Sequence, residues 1–299
     1  MVGTVLTEKL KKEGFCNLIL RTKEELDLLD QDAVREFFLT EKPDYVFLLA
    51  ARVGSSKVNM TYPAEFLYEN VMMQYNVIWS AHLAHVEKLL FTASASAYPG
   101  ICAQPIKEES LLTGPLDPVL ESYSFSKIAG VMLCQKIFTE FGQKFISCLP
   151  SNIYGIHDHF DIESGHVVPS LINKIHNAKI NNELSIKIWG TGENKREFMY
   201  VEDFAEALMF LMNSYEKNKP INVGTGIATS VLELVETVKE VIGYSGGITH
   251  DTSAPEGVPM RVLDVSKLHS LGFVSRTSLS EGVFKSYKFY LESMVRSNT

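Results

Sequence analysis

Short, largely apolar runs alternate with longer amphipathic stretches through the first half of this chain. Asn17-Leu-Ile-Leu, Tyr45-Val-Phe-Leu-Leu-Ala50, Leu89-Leu-Phe-Thr and Phe145-Ile-Ser-Cys-Leu are the short runs. Their near-continuous hydrophobicity reads as strands buried on both faces. Between them, apolar positions recur at helical spacing over 4–13, 31–41, 64–86 and 122–141, the signature of helices with one packed face. Strands alternating with helices predict an α/β fold, a Rossmann-like doubly wound parallel sheet covered on both sides. Ligands of such sheets bind at the carboxyl ends of the strands.

After about residue 155 the rhythm breaks into loops with shorter elements. One helix there is well signed: Ser230-Val-Leu-Glu233 fits a capping box, Leu234, Val235, Val238, Val241 and Ile242 form an apolar face, and Gly243 follows as a stop. The pattern divides the chain into a dinucleotide-binding domain over 1–155 and a smaller C-terminal substrate-binding lobe over 156–299. The lobe is expected to interleave with the last elements of the first domain.

Composition narrows the partners. The 299 residues are 45% hydrophobic and 21% charged, with a formal net charge of −8 and no basic run to follow a phosphate backbone, which argues against nucleic acid. No apolar stretch reaches the roughly 18 residues that span a bilayer, and no secretory signal opens the chain. The four cysteines, Cys16, Cys102, Cys134 and Cys148, have neither metal-ligand spacing nor a paired framework. They read as reduced thiols of a cytoplasmic protein, with no metal site.

The chemistry concentrates at Tyr123-Ser-Phe-Ser-Lys127 and at Ser94, which ends the run from Lys88. A spacing of four puts Tyr123 and Lys127 one turn apart on one helical face. An ammonium beside a phenol favours the phenolate, so Tyr123 is expected to exchange its proton below the ordinary value of about 10. Ser94, at a strand's carboxyl end, is placed to hydrogen-bond the same substrate oxygen. The three residues suit reduction of a carbonyl: a hydride from a nicotinamide and a proton from tyrosine. Alone, a Tyr-Lys pair at this spacing is more often an aromatic anchor beside a solvated cation; the serine and the rest of the chain favour the chemistry. A serine hydrolase is the weaker alternative, because no Gly-x-Ser-x-Gly elbow occurs.

The beginning departs from this fold. A doubly wound dinucleotide domain is expected to open with a strand and a glycine-rich turn that brings N–H groups to a pyrophosphate. Here Met1-Val-Gly3 leads straight into a helical pattern, and Gly3 reads as the last glycine of such a turn. The expectation is that an internal methionine has been taken as the start, leaving off a strand and its turn. A truncated, decayed enzyme is the alternative. After Leu20 come Arg21 and Lys23, where an NAD-selective protein would place a carboxylate. Two cations there favour the 2′-phosphate of NADP.

Together these residues resemble the extended short-chain dehydrogenase/reductase family, and within it the GDP-4-keto-6-deoxy-D-mannose 3,5-epimerase/4-reductases, whose product is GDP-L-fucose. The resemblance spans essentially the whole chain apart from its start. It rests on Arg21-Thr-Lys-Glu-Glu-Leu-Asp-Leu, Asn59-Met-Thr-Tyr-Pro-Ala64, Gln104-Pro-Ile-Lys-Glu108, Leu111-Leu-Thr-Gly-Pro-Leu116, Tyr123-Ser-Phe-Ser-Lys-Ile-Ala-Gly130, Trp189-Gly-Thr-Gly192, Arg196-Glu-Phe198 and Ile221-Asn-Val-Gly-Thr-Gly226. It implies NADP(H) as cofactor and a GDP-sugar as substrate. By it, Ser94, Tyr123 and Lys127 are the reductase triad, Lys127 also holding the nicotinamide ribose. Pro150, Ser151, Asn152 and Ile153 line the nicotinamide, and Gly3 closes the phosphate loop. His166 is an acid in epimerisation that also lies by the cofactor. Lys174, Trp189, Arg196 and Glu256 contact the substrate, the arginine suited to a diphosphate by its fork of donors. The family also dimerises through paired helices, for which Val71, Ile78, Ala81, Ile128, Val131 and Met132 are suited; the same residues equally suit packing on the sheet.

The departures matter as much. The family's Ser-Ser-Cys-Ile-Tyr-Pro is Ser94-Ala-Ser-Ala-Tyr-Pro99 here, so Ser96 stands where the family has its epimerase base. A thiol near pKa 8.5 becomes a thiolate base; a serine hydroxyl is far less acidic. Proton abstraction at C3 and C5 is therefore expected to suffer while C4 reduction survives. Ser164-Gly-His166 and Val53-Gly-Ser55 also differ from the family's Asn-Ser-His and Val-Gly-Gly, which suggests a shifted sugar such as a heptose or another deoxyhexose. Three readings follow: the full epimerase/reductase, a C4 reductase without epimerase activity, and a non-catalytic relative.

Overall fold

The structure, a computed structural model, describes residues 1–162, 165–253 and 257–297. The first half comprises α1 (Val2–Lys12), α2 (Gln31–Glu41), β1 (Tyr45–Leu48), α3 (Ser56–Thr61), α4 (Pro63–Leu83), β2 (Lys88–Thr92), α5 (Glu121–Phe141), β3 (Lys144–Pro150) and β4 (Asn152–Tyr154). The second half comprises α6 (Val167–Ile180), β5 (Ser185–Trp189), β6 (Lys195–Arg196), β7 (Phe198–Tyr200), α7 (Val201–Ser214), β8 (Ile221–Val223), β9 (Thr229–Ser230), α8 (Val231–Ile242), β10 (Gly247–Asp251), β11 (Met260–Arg261), α9 (Ser266–Leu271) and α10 (Leu279–Ser297).

The main sheet is parallel, in the order β1-β2-β3-β8, with Leu89 opposite Phe145 and Thr92 opposite Cys148. Because side chains alternate across a strand, Leu89 and Phe91 join a core with α2, α4 and α5, while Leu90 joins the core on the other face with α1, α6, α7 and α8. Both faces are covered, as the apolar runs require. β8 comes from residues 221–223 and pairs with β3, so the chain returns to the first sheet after building α6, β5, β6, β7 and α7. Three smaller sheets (β10-β5, β11-β6-β9 and β4-β7) form the remainder.

Two expectations are corrected. Residues 17–20 are not a strand, and Leu20 is 55% exposed. A strand exists through its ladder, and among the described residues none pairs with this segment, while β1 bonds to β2 alone. Nor does helical rhythm fail after residue 155: α6 and α7 have 14 residues each, α8 has 12 and α10 has 19. The capping box at Ser230 and Glu233 forms as read, and Gly243 ends α8 in the left-handed conformation. No helix among the described residues is long and apolar enough to cross a membrane.

The helix pair α4–α5 answers the question of its apolar residues. Ile78, Ala81, Ile128 and Val131 are buried within the chain on the sheet. Met132, from the same set, is exposed, together with Tyr68, Tyr75, Trp79, Leu83, Phe125 and Phe141 of the pair. These four residues face inward because the sheet face of α5 approaches β2 closely. Gly130 makes this possible: a Cβ there would lie 2.5 Å from the Phe91 ring and 2.9 Å from Gln74 Oε1. Gly130→Ala is expected to lower unfolding free energy by about 1–3 kcal/mol through overpacking. Urea denaturation measures it; an unchanged midpoint would show that α5 can lift away without penalty.

Candidate active site

The site is built where β2 ends. After Thr92 the chain forms a single 3-10 turn, Ala95–Ala97, capped by Ser94. Ser94 Oγ accepts from the Ser96 backbone N–H at 3.1 Å, and the Ser96 hydroxyl donates to the same oxygen at 3.0 Å. Such a cap is what serine does before a helical turn. It fixes both hydroxyls at the carboxyl end of a central strand. Ser96 is buried.

Helix α5 brings Tyr123 and Lys127 to this turn. Lys127 is only 3% exposed; its Nζ donates to Thr92 O at 3.0 Å and lies 4.9 Å from the Phe91 ring centroid and 5.7 Å from that of Tyr123. Thr92 takes one of the three ammonium hydrogens. Burial pushes the lysine down to about 8, opposed by the neighbouring Cys148. Burial pushes Tyr123 up to about 12, and its hydrogen bond with Ser94 draws it back only partly. The expected descent of the phenol below 10 is therefore overturned. Desolvation of the phenolate dominates, and burial makes the lysine itself a weaker cation. The result is a protonated phenol at neutral pH, the form that can donate.

β3 runs beside β2, so Pro150 ends level with this turn. Ser151 follows with a buried hydroxyl that has no hydrogen-bond partner. Asn152 Nδ2 donates to Glu197 O at 2.9 Å, and Ile153 lies in β4. Glu197 is itself buried, accepting from Thr225, Gly226 and Leu263 backbone N–H groups, and burial raises its pKa. It ties three loops into one floor.

The second lobe contributes a pair of arginines. Arg196 in β6 is the register partner of Arg261 in β11, which sets their side chains next to each other. Burial lowers the pKa of both, and for Arg196 the Arg261 charge adds to the effect; Asp117 acts the other way. Arg196 Nη1 donates to Lys195 O, and no carboxylate among the described residues lies within ion-pairing distance of either guanidinium. Arg261 Nη1 donates to Ala95 O at 2.7 Å. One guanidinium thus links the lobe to the turn that holds Ser94 and Ser96. Arg261 escaped the reading of the sequence. Its signal was a lone arginine inside the apolar run Met260–Leu263.

The other expected residues lie further out. His166 stands at the N-cap position of α6 without a side-chain capping bond, its side chain 48% exposed and Nδ1 3.8 Å from Asp158 Oδ1. Lys174, two turns along α6, donates to Lys187 O in β5, the strand that Trp189 ends at 70% exposure. Arg21 pairs with Glu41 at 2.5 Å and lies over the Phe37 ring. Lys23 is exposed nearby. Gly3 sits in the first turn of α1 with nothing within 4 Å of where a Cβ would be. Glu256 lies outside the described residues. The structure therefore joins Ser94, Ser96, Tyr123, Lys127, the 150–153 segment and Arg196 through direct contacts or pairing, but not Gly3, Arg21 or Lys23.

A doubly wound sheet with a Ser-Tyr-Lys cluster at its carboxyl edge defines a nucleotide-dependent oxidoreductase or epimerase class. Residues 1–224 match the profile of the NAD dependent epimerase/dehydratase family. A putative GDP-L-fucose synthase 2 of Arabidopsis thaliana is 46% identical over 296 residues, covering 99% of this chain and 90% of the relative. A GDP-6-OMe-4-keto-L-xylo-heptose reductase from Campylobacter jejuni superposes with a TM-score of 0.93 at 36% identity, covering 98% of this chain and 95% of that one. A GDP-mannoheptose C4 reductase from the same organism, solved with NADP bound, gives 0.90 at 36% identity, with 97% and 95% covered. The chain belongs to the NAD dependent epimerase/dehydratase family, on the branch of the GDP-L-fucose synthases.

The buried lysine leaves a thermodynamic mark. Its folded pKa, about 8, lies below its ordinary 10.5, so between those values the unfolded chain binds more protons. Stability from this group therefore rises with pH across that window, by up to about 1.4 kcal/mol per unit. Lys127→Met removes that component. The unfolding free energy of the wild type is expected to gain on that of the variant as pH rises from 8 to 10.5. A pH-independent difference in urea denaturation would contradict the depressed value.

Proposed function

We propose that this chain is an NADPH-dependent enzyme that converts GDP-4-keto-6-deoxy-D-mannose to GDP-L-fucose, by epimerisation at C3 and C5 and reduction at C4. The observation that carries the reading is the pairing of two half-buried guanidiniums, Arg196 and Arg261, with no carboxylate among the described residues within ion-pairing distance, one of them bonded to the turn that holds Ser94. In a chain of net charge −8, such a pair fits a diphosphate rather than a protein partner. It sets the sugar end of a nucleotide-sugar toward Ser94 and Tyr123.

The nicotinamide end of the cofactor fits the residues present. Lys127 keeps ammonium hydrogens for a ribose, Ser151 presents a buried hydroxyl without a partner, and Pro150, Asn152 and Ile153 frame the same edge. Arg21 and Lys23 would face a 2′-phosphate, with Arg21 exchanging Glu41 for it, and Gly3 opens the first turn of α1 to the pyrophosphate. Bound there, NADPH supplies the hydride to C4. Tyr123, protonated at neutral pH, gives its proton to the C4 oxygen, and Ser94 donates a hydrogen bond to that oxygen. His166 serves as the acid of epimerisation. Lys174, Trp189 and Glu256 contact the GDP portion.

A second reading, C4 reduction without epimerisation, is favoured by Ser96. No thiol stands at the base position, and Campylobacter neighbours at 36% identity are GDP-heptose reductases. We further propose residues 1–155 as the cofactor domain and 156–299 as the substrate lobe, supported by the return of β8 to the sheet. A homodimer would cover Tyr68, Tyr75, Trp79, Phe125 and Met132. Four free thiols accord with the cytoplasm.

The test is incubation of the purified protein with NADPH and GDP-4-keto-6-deoxy-D-mannose in D₂O, the product read by NMR. GDP-L-fucose with deuterium at C3 and C5 supports the full reaction. A reduced sugar without deuterium there selects the second reading, and no NADPH oxidation overturns both. Arg261→Ala is expected to raise KM about 10- to 100-fold, the worth of a hydrogen bond to a charged group. Tyr123→Phe is expected to lower kcat about 100-fold or more while NADPH still binds.

A further inference from the structure

Ser96 replaces a base by residue type, yet its geometry gives it another task. A hydroxyl has one hydrogen to donate and two lone pairs to accept. Both acceptor positions of Ser94 Oγ are filled by Ser96: its backbone N–H at 3.1 Å and its side-chain O–H at 3.0 Å. Ser94 is left with its own hydrogen and no vacant lone pair. It cannot accept from the Tyr123 O–H; it can only donate, to the phenol oxygen in the free protein and to a carbonyl oxygen when substrate arrives. The interaction with Ser94 draws the phenol's pKa down, as a hydroxyl that donates to the phenol oxygen does by favouring its ionised form. The turn is held still for the purpose, since Arg261 binds Ala95 O between the two serines, and Ser96 is buried away from competing water.

We propose that Ser96 is a positioning residue for the reduction step, one that fixes Ser94 as a dedicated hydrogen-bond donor and leaves the Tyr123 proton free for the substrate. A thiol at this position would be a weaker donor and would leave the Ser94 hydroxyl free to rotate. Ser96→Ala has the same effect more completely: one lone pair of Ser94 opens, Tyr123 donates its proton into it, and both hydrogens must be turned before reaction.

The inference rests on the reading of the site as a carbonyl reductase, so one measurement is made without turnover. With ¹³C-labelled tyrosine in the free protein, the Tyr123 Cζ resonance, assigned by its loss in Tyr123→Phe, reports whether the phenol accepts or donates. Ser96→Ala is expected to move this resonance, while Ser96→Thr, which keeps the hydroxyl, returns it to the wild-type position. With GDP-4-keto-6-deoxy-D-mannose and NADPH, Ser96→Ala is expected to lower kcat about five-fold, the worth of one neutral hydrogen bond, with KM unchanged. A Tyr123 resonance that stays put in Ser96→Ala overturns the inference. So does a kcat equal to wild type. If the wild type itself fails to oxidise NADPH, the functional reading falls, and the tyrosine resonance alone decides the role of Ser96.

Discussion

The bond from Arg261 to the Ala95 carbonyl is the contact on which the two halves of the site depend. It spans 166 residues of sequence at 2.7 Å. With it, the charge pair acquires a neutral acceptor, and the loop acquires a fixed position relative to the lobe. Two adjacent guanidiniums repel; their arrangement stores a demand for an anion. On the function proposed above, a diphosphate bound there would answer that demand through the guanidinium that also holds the turn carrying Ser94. Substrate recognition and alignment of the reacting oxygen would thereby be one event, which is how binding energy from a remote part of a substrate becomes useful at its reacting centre.

What the sequence made legible was everything that rests on local pattern. Residues 122–141 read as a helix because their apolar spacing is unbroken, and α5 covers Glu121–Phe141; the Tyr123–Lys127 face followed from the spacing of four. The capping box at Ser230 was equally local. What escaped were effects of neighbours distant in the chain. Residues 17–20 have strand composition but no ladder partner. Arg261 is invisible until β11 is laid against β6. The register of the α4–α5 faces was undecidable until Gly130 let α5 come down onto Phe91, sending Ile78 and Val131 inward and leaving Trp79 and Phe125 outside.

The sign of the Tyr123 shift was missed for a related reason. Reading the pair as phenol beside ammonium counts one interaction and assumes solvent around both. The structure buries the lysine and half-buries the tyrosine, and the loss of water acts on each toward neutrality: tyrosine upward, lysine downward. Each becomes a poorer partner for the other's ion than the pair spacing implies. This is an advantage for reduction in the forward direction. An acid that must give up a proton late in the reaction works best if it still holds it when hydride arrives. A lysine poised near neutrality is cationic enough to hold a ribose hydroxyl without forcing the phenol to ionise early.

That balance also bears on Ser96. Epimerisation needs a base that removes a proton from carbon; reduction needs acids and donors that keep theirs. A thiolate in the turn would place a negative charge beside Ser94 and Tyr123, raising the phenol further and offering its proton a competing destination. A serine adds no charge and returns a hydrogen bond. On the proposed reading, the serine that would weaken the first half of the reaction would make the surroundings of the second half more uniform. Burial of Ser96 enforces this, because a buried hydroxyl without an acceptor is penalised by about 1–3 kcal/mol, and the acceptor it uses here is Ser94 Oγ. The chain of donors from Ser96 through Ser94 to the reacting oxygen is thus held by the same desolvation that keeps Tyr123 protonated.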